Sequence, residues 1–168
     1  GKMTDATVAT LSGEGGGGRR YSPAERLAEV AQRYYWDDDG IYLPGWSFKK
    51  CLLDGAKKGD VKEGRKSAAA FFAATVFPDA KLRFNKREPD GVYEAQGKRP
   101  PRTGGAVIIR YPMMEADWTV AFTLTVVDDR RAEADIRRSL EEAGLLVGLG
   151  PWRPEFGRFI VSKWERTA

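Results

Sequence analysis

Aromatic and cationic side chains are interleaved at two glycine-bearing places in this chain, and a third segment is basic. The first is Gly45-Trp46-Ser47-Phe48-Lys49-Lys50, directly after Pro44. The second is Gly148–Arg158, GLGPWRPEFGR, which sets Trp152, Arg153, Phe156 and Arg158 among Gly148, Gly150 and Gly157. The basic segment is Gln96–Gly105, QGKRPPRTGG, with Lys98, Arg99 and Arg102. Flat π faces beside ammonium and guanidinium groups suit stacking on bases and neutralising phosphates, with no need to read a sequence. A Pro-Gly corner that opens a helix would add free N–H groups at its N-terminus, where anions bind. Trp46 stacked on a base would contribute about 1–3 kcal/mol. A single Trp or Phe in a loop more often packs into a core, so the weight rests on the mixture of residue types.

Other chemistry is excluded or disfavoured by what is missing. Without histidine there is no Ser-His or Cys-His nucleophile system, no histidine base and no His-ligated zinc. A single cysteine, Cys51, forms no intrachain disulfide and no thiolate cluster. The glycine loop is not a dinucleotide fingerprint, because Arg153 stands where the third glycine of G-x-G-x-x-G belongs. No Gly-Lys-Ser/Thr of a phosphate-binding P-loop occurs. Asp37-Asp38-Asp39 and Asp128-Asp129 could together serve a divalent metal, but such runs are ordinarily turns and helix caps.

The formal net charge is +4 and unevenly spread. Gly45–Lys66 holds seven Lys/Arg against three Asp/Glu, and Lys81–Arg110 eight against three, so the rest of the chain is net acidic. Segregated basic segments fit a polyanion better than an evenly basic surface does. No run approaches the roughly 20 apolar residues of a membrane span. The N-terminus lacks the apolar stretch of a secretory leader, so a cytoplasmic protein with no membrane partner is expected.

The elements that must hold these residues can be read from pattern. Residues 1–20 are expected to be a flexible lead-in with a first strand over Asp5–Ser12, and 21–168 a single domain. Ser22-Pro23-Ala24-Glu25 is a capping box with proline at the first helical position. The helix that follows should bury Leu27, Val30, Ala31 and Tyr34 and end near Trp36. Ile41–Leu43 reads as a strand, and Gly45–Lys58 as a helix burying Phe48, Leu52 and Ala56. A second helical piece is expected before Thr75, strand fragments at Val76–Phe77 and Leu82–Phe84, a turn at Pro89-Asp90-Gly91 and a loop over Gln96–Gly105. Ala106–Tyr111 and the alternating Trp118–Val127 read as strands. Arg131–Ala143 reads as a helix burying Ile136, Leu140, Ala143 and Val147, stopped by Gly144, with a last strand over Arg158–Glu165. The expected fold class is therefore α+β: a ferredoxin-like, RRM-like βαββαβ unit with an antiparallel sheet, helices on one face and an additional N-terminal helix.

Two distant segments, LPGWSFKKCLLDGAK and GLGPWRPEFGRFIV, together resemble the RAMP superfamily, the RRM-like backbone and processing proteins of CRISPR effector complexes. Pro44, Gly45, Ser47, Phe48 and Lys49 match that family's helix-opening corner, with Trp46 in place of a small residue. Gly148, Gly150, Gly157 and Arg158 match its glycine-rich loop between the last helix and last strand. The whole pattern also resembles small uncharacterised proteins of tailed phages. The resemblance implies nucleic-acid binding, and it implies a phage-encoded protein acting in the host cytoplasm. It does not carry over RNA cleavage, because the catalytic histidine of the processing members has no counterpart here.

The expected function is non-catalytic, sequence-tolerant binding of single-stranded DNA or RNA. The residues expected to carry it are Gly45, Trp46, Ser47, Lys49, Lys50, Lys98, Arg99, Arg102, Gly148, Gly150, Trp152, Arg153 and Arg158. No cofactor is expected, and partners beyond the strand would be further copies of the chain. Two alternatives stand beside this reading: an interaction protein that self-assembles or docks a host protein, and a metal-dependent nuclease using the aspartate runs.

Overall fold

The computed structural model describes residues 22–98, 106–130 and 133–167. The expected strand over Asp5–Ser12 lies outside them. Elements follow the order α1 (Pro23–Ala31), β1 (Tyr35–Asp37), β2 (Gly40–Pro44), α2 (Gly45–Lys58), β3 (Lys62–Glu63) and β4 (Lys66–Ser67). Then come α3 (Ala69–Thr75), β5 (Val76–Pro78), β6 (Lys81–Phe84), β7 (Gly91–Lys98), β8 (Ala106–Met113), β9 (Val120–Ala121), β10 (Leu124–Val126) and α4 (Glu133–Leu146). The class is α+β. Strands β1-β2-β6-β9 form one sheet in that order, and β5–β10, β3–β4 and β7–β8 form antiparallel pairs.

The chain divides into two compact units. The first holds the described residues up to Tyr42 with Arg83–Val120. Its helix α1 starts as its sequence dictates: the Glu25 N–H donates to Ser22 Oγ at 3.2 Å, and the Ser22 N–H donates to Glu25 Oε2 at 2.8 Å. The helix stops at Ala31, five residues short of Trp36, and Tyr35–Asp37 turns into β1 against β2. Its inner face also differs from expectation. Val30 is buried but Leu27 is 66% exposed, and the buried place is taken by Glu29. Glu29 is tolerated there because β8 supplies Arg110, whose Nη1 lies 3.3 Å from Glu29 Oε2 and whose Nε lies 2.8 Å from Glu94 Oε1. Strand β7 stands where the sequence pattern predicts a turn and a loop. Gly91–Lys98 pairs with all of β8, so Gln96–Lys98 belongs to a hairpin strand rather than a loop.

The second unit holds Leu43–Leu82 and the described residues from Ala121 on. Its core follows the two longest helices, α2 and α4. Phe48, Leu52 and Ala56 of α2 and Ile136, Leu140 and Ala143 of α4 are all buried, with Val147 just beyond. Each such Leu, Ile or Phe contributes about 1.5–3 kcal/mol on leaving water. Close approach of α2 to α4 requires Gly55: a Cβ there would lie 2.3 Å from the Ser139 carbonyl oxygen and 2.5 Å from Ala143 Cβ.

Three expectations in this part of the chain are corrected. Trp118–Val127 is not one strand. It forms β9 and β10, separated at Phe122-Thr123, although side chains alternate in exposure as far as Leu124. Gly144 does not stop α4, which runs to Leu146; the absent side chain instead admits the Phe159 carbonyl, which a Cβ would meet at 2.1 Å. The helix is left at Gly148, with φ +74°, whose N–H donates back to the Ala143 carbonyl at 2.8 Å. Finally, Arg158–Glu165 pairs with no strand among the described residues. It runs antiparallel along α4 instead: the Phe159 N–H donates to the Gly144 carbonyl at 3.3 Å, and Trp164 Nε1 donates to Glu133 Oε1. Five residues of chain thus follow about 16 Å of helix, which requires a nearly extended path.

Candidate nucleic-acid interface

Pro44 and Gly45 make the corner, and both are buried. Pro44 leaves β2 in an extended conformation, φ −63° and ψ 136°, and offers the helix no side-chain cap. Gly45 is required by space: a Cβ would lie 2.1 Å from the Asp79 carbonyl oxygen. Its N–H donates to the Ala80 carbonyl at 2.9 Å, so this amide serves the fold. Once α2 starts here, 3.6-residue periodicity decides the rest. Phe48, Cys51, Leu52 and Gly55 turn inward, and Trp46, Lys49 and Lys50 fall on the outer side. Trp46 is 66% exposed, Ser47 and Lys49 are half-buried, and Lys50 is exposed.

The outer side of α2 meets an aromatic that the sequence did not single out. Lys49 Nζ sits 3.9 Å from the centroid of the Phe77 ring, and Phe77 itself is 41% exposed. Phe77 lies on β5 opposite Thr125, and strand alternation turns it outward while Val76 is fully buried. The signal in the sequence was only the period of two in Val76-Phe77-Pro78. Lys50 Nζ pairs with Asp54 at 2.8 Å, one turn along the helix.

The glycine loop stands alongside the first turns of α2. Cys51 Sγ donates to the Gly148 carbonyl at 3.2 Å, and the Phe48 and Phe159 rings are 6.4 Å apart. The loop is closed on itself. The Leu149 N–H donates to the Gly157 carbonyl at 2.8 Å, the Phe156 N–H to the Trp152 carbonyl at 3.0 Å and Arg158 Nε to the Pro154 carbonyl at 3.0 Å. Gly148 and Gly157 serve this closure. Both have positive φ, and a Cβ would lie 2.9 Å from the Phe156 carbonyl oxygen at Gly148 and 1.8 Å from that of Leu149 at Gly157. Gly150 also has positive φ, but nothing stands within 4 Å of the place its Cβ would take. Trp152 is half-buried, whereas Arg153, Phe156 and Arg158 are exposed.

Electrostatics identify Arg153 as part of the same neighbourhood. Burial pushes the Cys51 thiol up to about 11, while the positive charge of Arg153 pulls it back and Asp54 opposes that pull. The thiol is therefore neutral near pH 7 and is no nucleophile. The structure thus places Trp46, Lys49 and Lys50 on the outer side of α2, with Phe77 against Lys49, and Arg153 within electrostatic reach of Cys51 in the same helix. Lys98 ends β7 in the first unit, opposite Ala106, and Arg99 and Arg102 lie outside the described residues.

The aspartate runs have local explanations. Asp37 accepts two bonds from Arg83, at 2.8 and 2.7 Å, and its Oδ1 also accepts the Asp39 N–H at 3.0 Å. Asp128 accepts from Arg130, which holds its carboxyl below the usual range. Among the described residues no three acidic or sulfur groups are grouped to hold a metal ion, and no helix is long and apolar enough to cross a membrane. No family model matches the chain, and neither a curated protein nor a solved structure aligns with it significantly.

Proposed function

We propose that this chain is a non-catalytic, sequence-tolerant binder of single-stranded nucleic acid, DNA or RNA, that uses the outer side of α2 and the adjoining glycine loop. One observation carries the reading: an exposed indole at Trp46 stands one helical turn from Lys49, whose ammonium caps the exposed Phe77 ring. Aromatic faces accept any base, and cations beside them attract any phosphate, so such a surface is strand-selective without being sequence-selective. Arg153 adds an exposed guanidinium. The proposal extends to ancestry and topology. A ferredoxin-like ancestor would account for the chain order of β2, α2, β6, β9 and α4, with the terminal segment, which here lies along α4, in the chain position of its last strand. The corner and glycine loop keep the RAMP-like residues named above, in a protein of phage origin.

The test is fluorescence anisotropy with labelled single-stranded DNA, single-stranded RNA and duplex DNA over a salt series. Single-strand binding with a steep negative salt slope is expected. Lys49→Ala/Lys50→Ala should weaken it for all sequences and reduce the slope by about 1.4, at roughly 0.7 per phosphate contact. Trp46→Ala should weaken it with little change in slope. Unchanged affinity in folded variants at both places rejects this surface.

A second reading has its own observation. Leu145, Phe156 and Ile160 of the second unit are 59%, 47% and 86% exposed, which suits an interaction protein that self-assembles or docks a host protein. Sedimentation at increasing concentration, with no oligonucleotide response in tryptophan fluorescence, would favour it.

A further inference from the structure

The second unit carries a small hairpin that the reading above leaves unused. Strands β3 and β4 pair Lys62 with Ser67 and Glu63 with Lys66, around Gly64 at φ +59° and Arg65. Two-residue strands have no stability of their own. This hairpin is held at its base: Val61 and Ala68 are buried, the Val61 N–H donates to the Ala56 carbonyl at 3.0 Å, and the Ala68 N–H donates to the Val61 carbonyl at 2.8 Å. Everything from Lys62 to Lys66 is exposed.

The cations around it divide into two kinds. Lys58 Nζ donates to the Leu146 carbonyl at 3.1 Å and Arg138 Nη2 to the Gly59 carbonyl at 3.3 Å, so both cap helix ends. Lys57 stands 3.9 Å from Asp54, and Lys62 pairs with Asp60. Arg65 and Lys66 have neither an acid, a carbonyl nor a ring as partner among the described residues. Of the other cations with described side chains, only Arg153 shares that condition. A free, rigidly based charge can meet a phosphate without first breaking a pair.

We infer that the β3–β4 hairpin is a second phosphate contact for the strand whose bases stack at Trp46, with Arg65 and Lys66 as its donors. This inference rests on the single-strand reading. The two contacts are fixed relative to each other by α2, whose last turn at Lys57 lies about 16 Å along the helix from Trp46. A strand must therefore be long enough to reach: about five nucleotides at the 3.4 Å spacing of a duplex strand, while three nucleotides, with two spacings, fall short even at about twice that rise.

The experiment compares an oligothymidylate of three nucleotides with one of ten, on the parent chain and on Arg65→Ala/Lys66→Ala, across a salt series. For the ten-mer the variant should lose about 1.4 from the salt slope and about 25-fold in affinity at 0.1 M salt, if the two curves meet near 1 M. The three-mer should bind both proteins alike. Arg65→Lys/Lys66→Arg should restore the slope, and Arg65→Gln/Lys66→Gln serves if the alanine pair disturbs folding. An unchanged ten-mer slope, or an equal loss on both lengths, overturns the hairpin contact while the Trp46 surface stands. Failure of the parent to bind either length overturns the single-strand reading, and the hairpin contact with it.

Discussion

Placing one methyl group at Gly55 tests the packing that positions the whole candidate surface. Glycine to alanine inside a helix normally stabilises by about 0.8–1 kcal/mol. Here the new Cβ would stand 2.3 Å from the Ser139 carbonyl oxygen, 2.5 Å from Ala143 Cβ and 2.8 Å from Ala143 Cα. Carbon atoms rest about 3.5–4.0 Å apart, so α2 and α4 must separate by on the order of 1 Å at their crossing. That gap forfeits about a quarter to a half of the dispersion at each neighbouring contact. Leu52, Ala56, Ile136 and Leu140 are the buried residues that would feel it. Overpacking of this kind costs about 1–3 kcal/mol, which exceeds the propensity gain, and loosened packing adds to it. The expected net effect of Gly55→Ala is a loss of about 2 kcal/mol, or roughly 4–8 °C in Tm for a chain of this size. Urea titration and differential scanning calorimetry measure it. Gly64→Ala is the comparison: nothing stands within 4 Å of that Cβ, and its φ of +59° costs only about 1–2 kcal/mol of backbone strain. A Gly55→Ala protein as stable as the parent, or more so, would refute the close α2–α4 crossing.

Two further predictions concern buried polar groups. Burial raises the Cys51 thiol to about 11 from an ordinary 9.0, so the unfolded chain releases its proton first and stability should fall between pH 9 and about 11. The fall is about 2–3 kcal/mol, absent in Cys51→Ala, and urea midpoints against pH read it; parallel curves for the two proteins contradict the burial. Arg110→Ala should cost about 3 kcal/mol, the lower end for breaking a buried pair, because Arg33 remains 3.5 Å from the stranded Glu29 carboxylate. Glu29→Met/Arg110→Met should recover much of that loss in the same titration, and a double variant worse than the single would count against the pairing.

Much of the local structure was legible in the chain, and it is the part set by neighbours in sequence. Ser22 and Glu25 are three positions apart, so the capping box forms wherever that helix packs. The apolar stripes of α2 and α4, and the alternation from Trp118 to Leu124, were readable because burial of one face repeats with the period of the element. The same period put Trp46, Lys49 and Lys50 on the outer side of α2 once its start was known.

What the chain alone left open depends on partners far away in sequence. Leu27 yields its inner place to Glu29 because Arg110, 81 residues later, comes to meet that carboxylate. Gly144 looked like a helix stop because glycine often ends helices, yet its role is to admit the Phe159 carbonyl. The glycines of Gly148–Gly157 looked open to a ligand, and two of them are taken up by the loop's own closure. Phe77 joined the candidate surface only when β5 placed it under the Lys49 ammonium. Composition and periodicity therefore determined where the helices lie and which faces α2 and α4 bury. Tertiary packing alone decided which glycines are structural and which cations stay unpaired, because close approach and charge pairing are set by distances in space that no sequence spacing records.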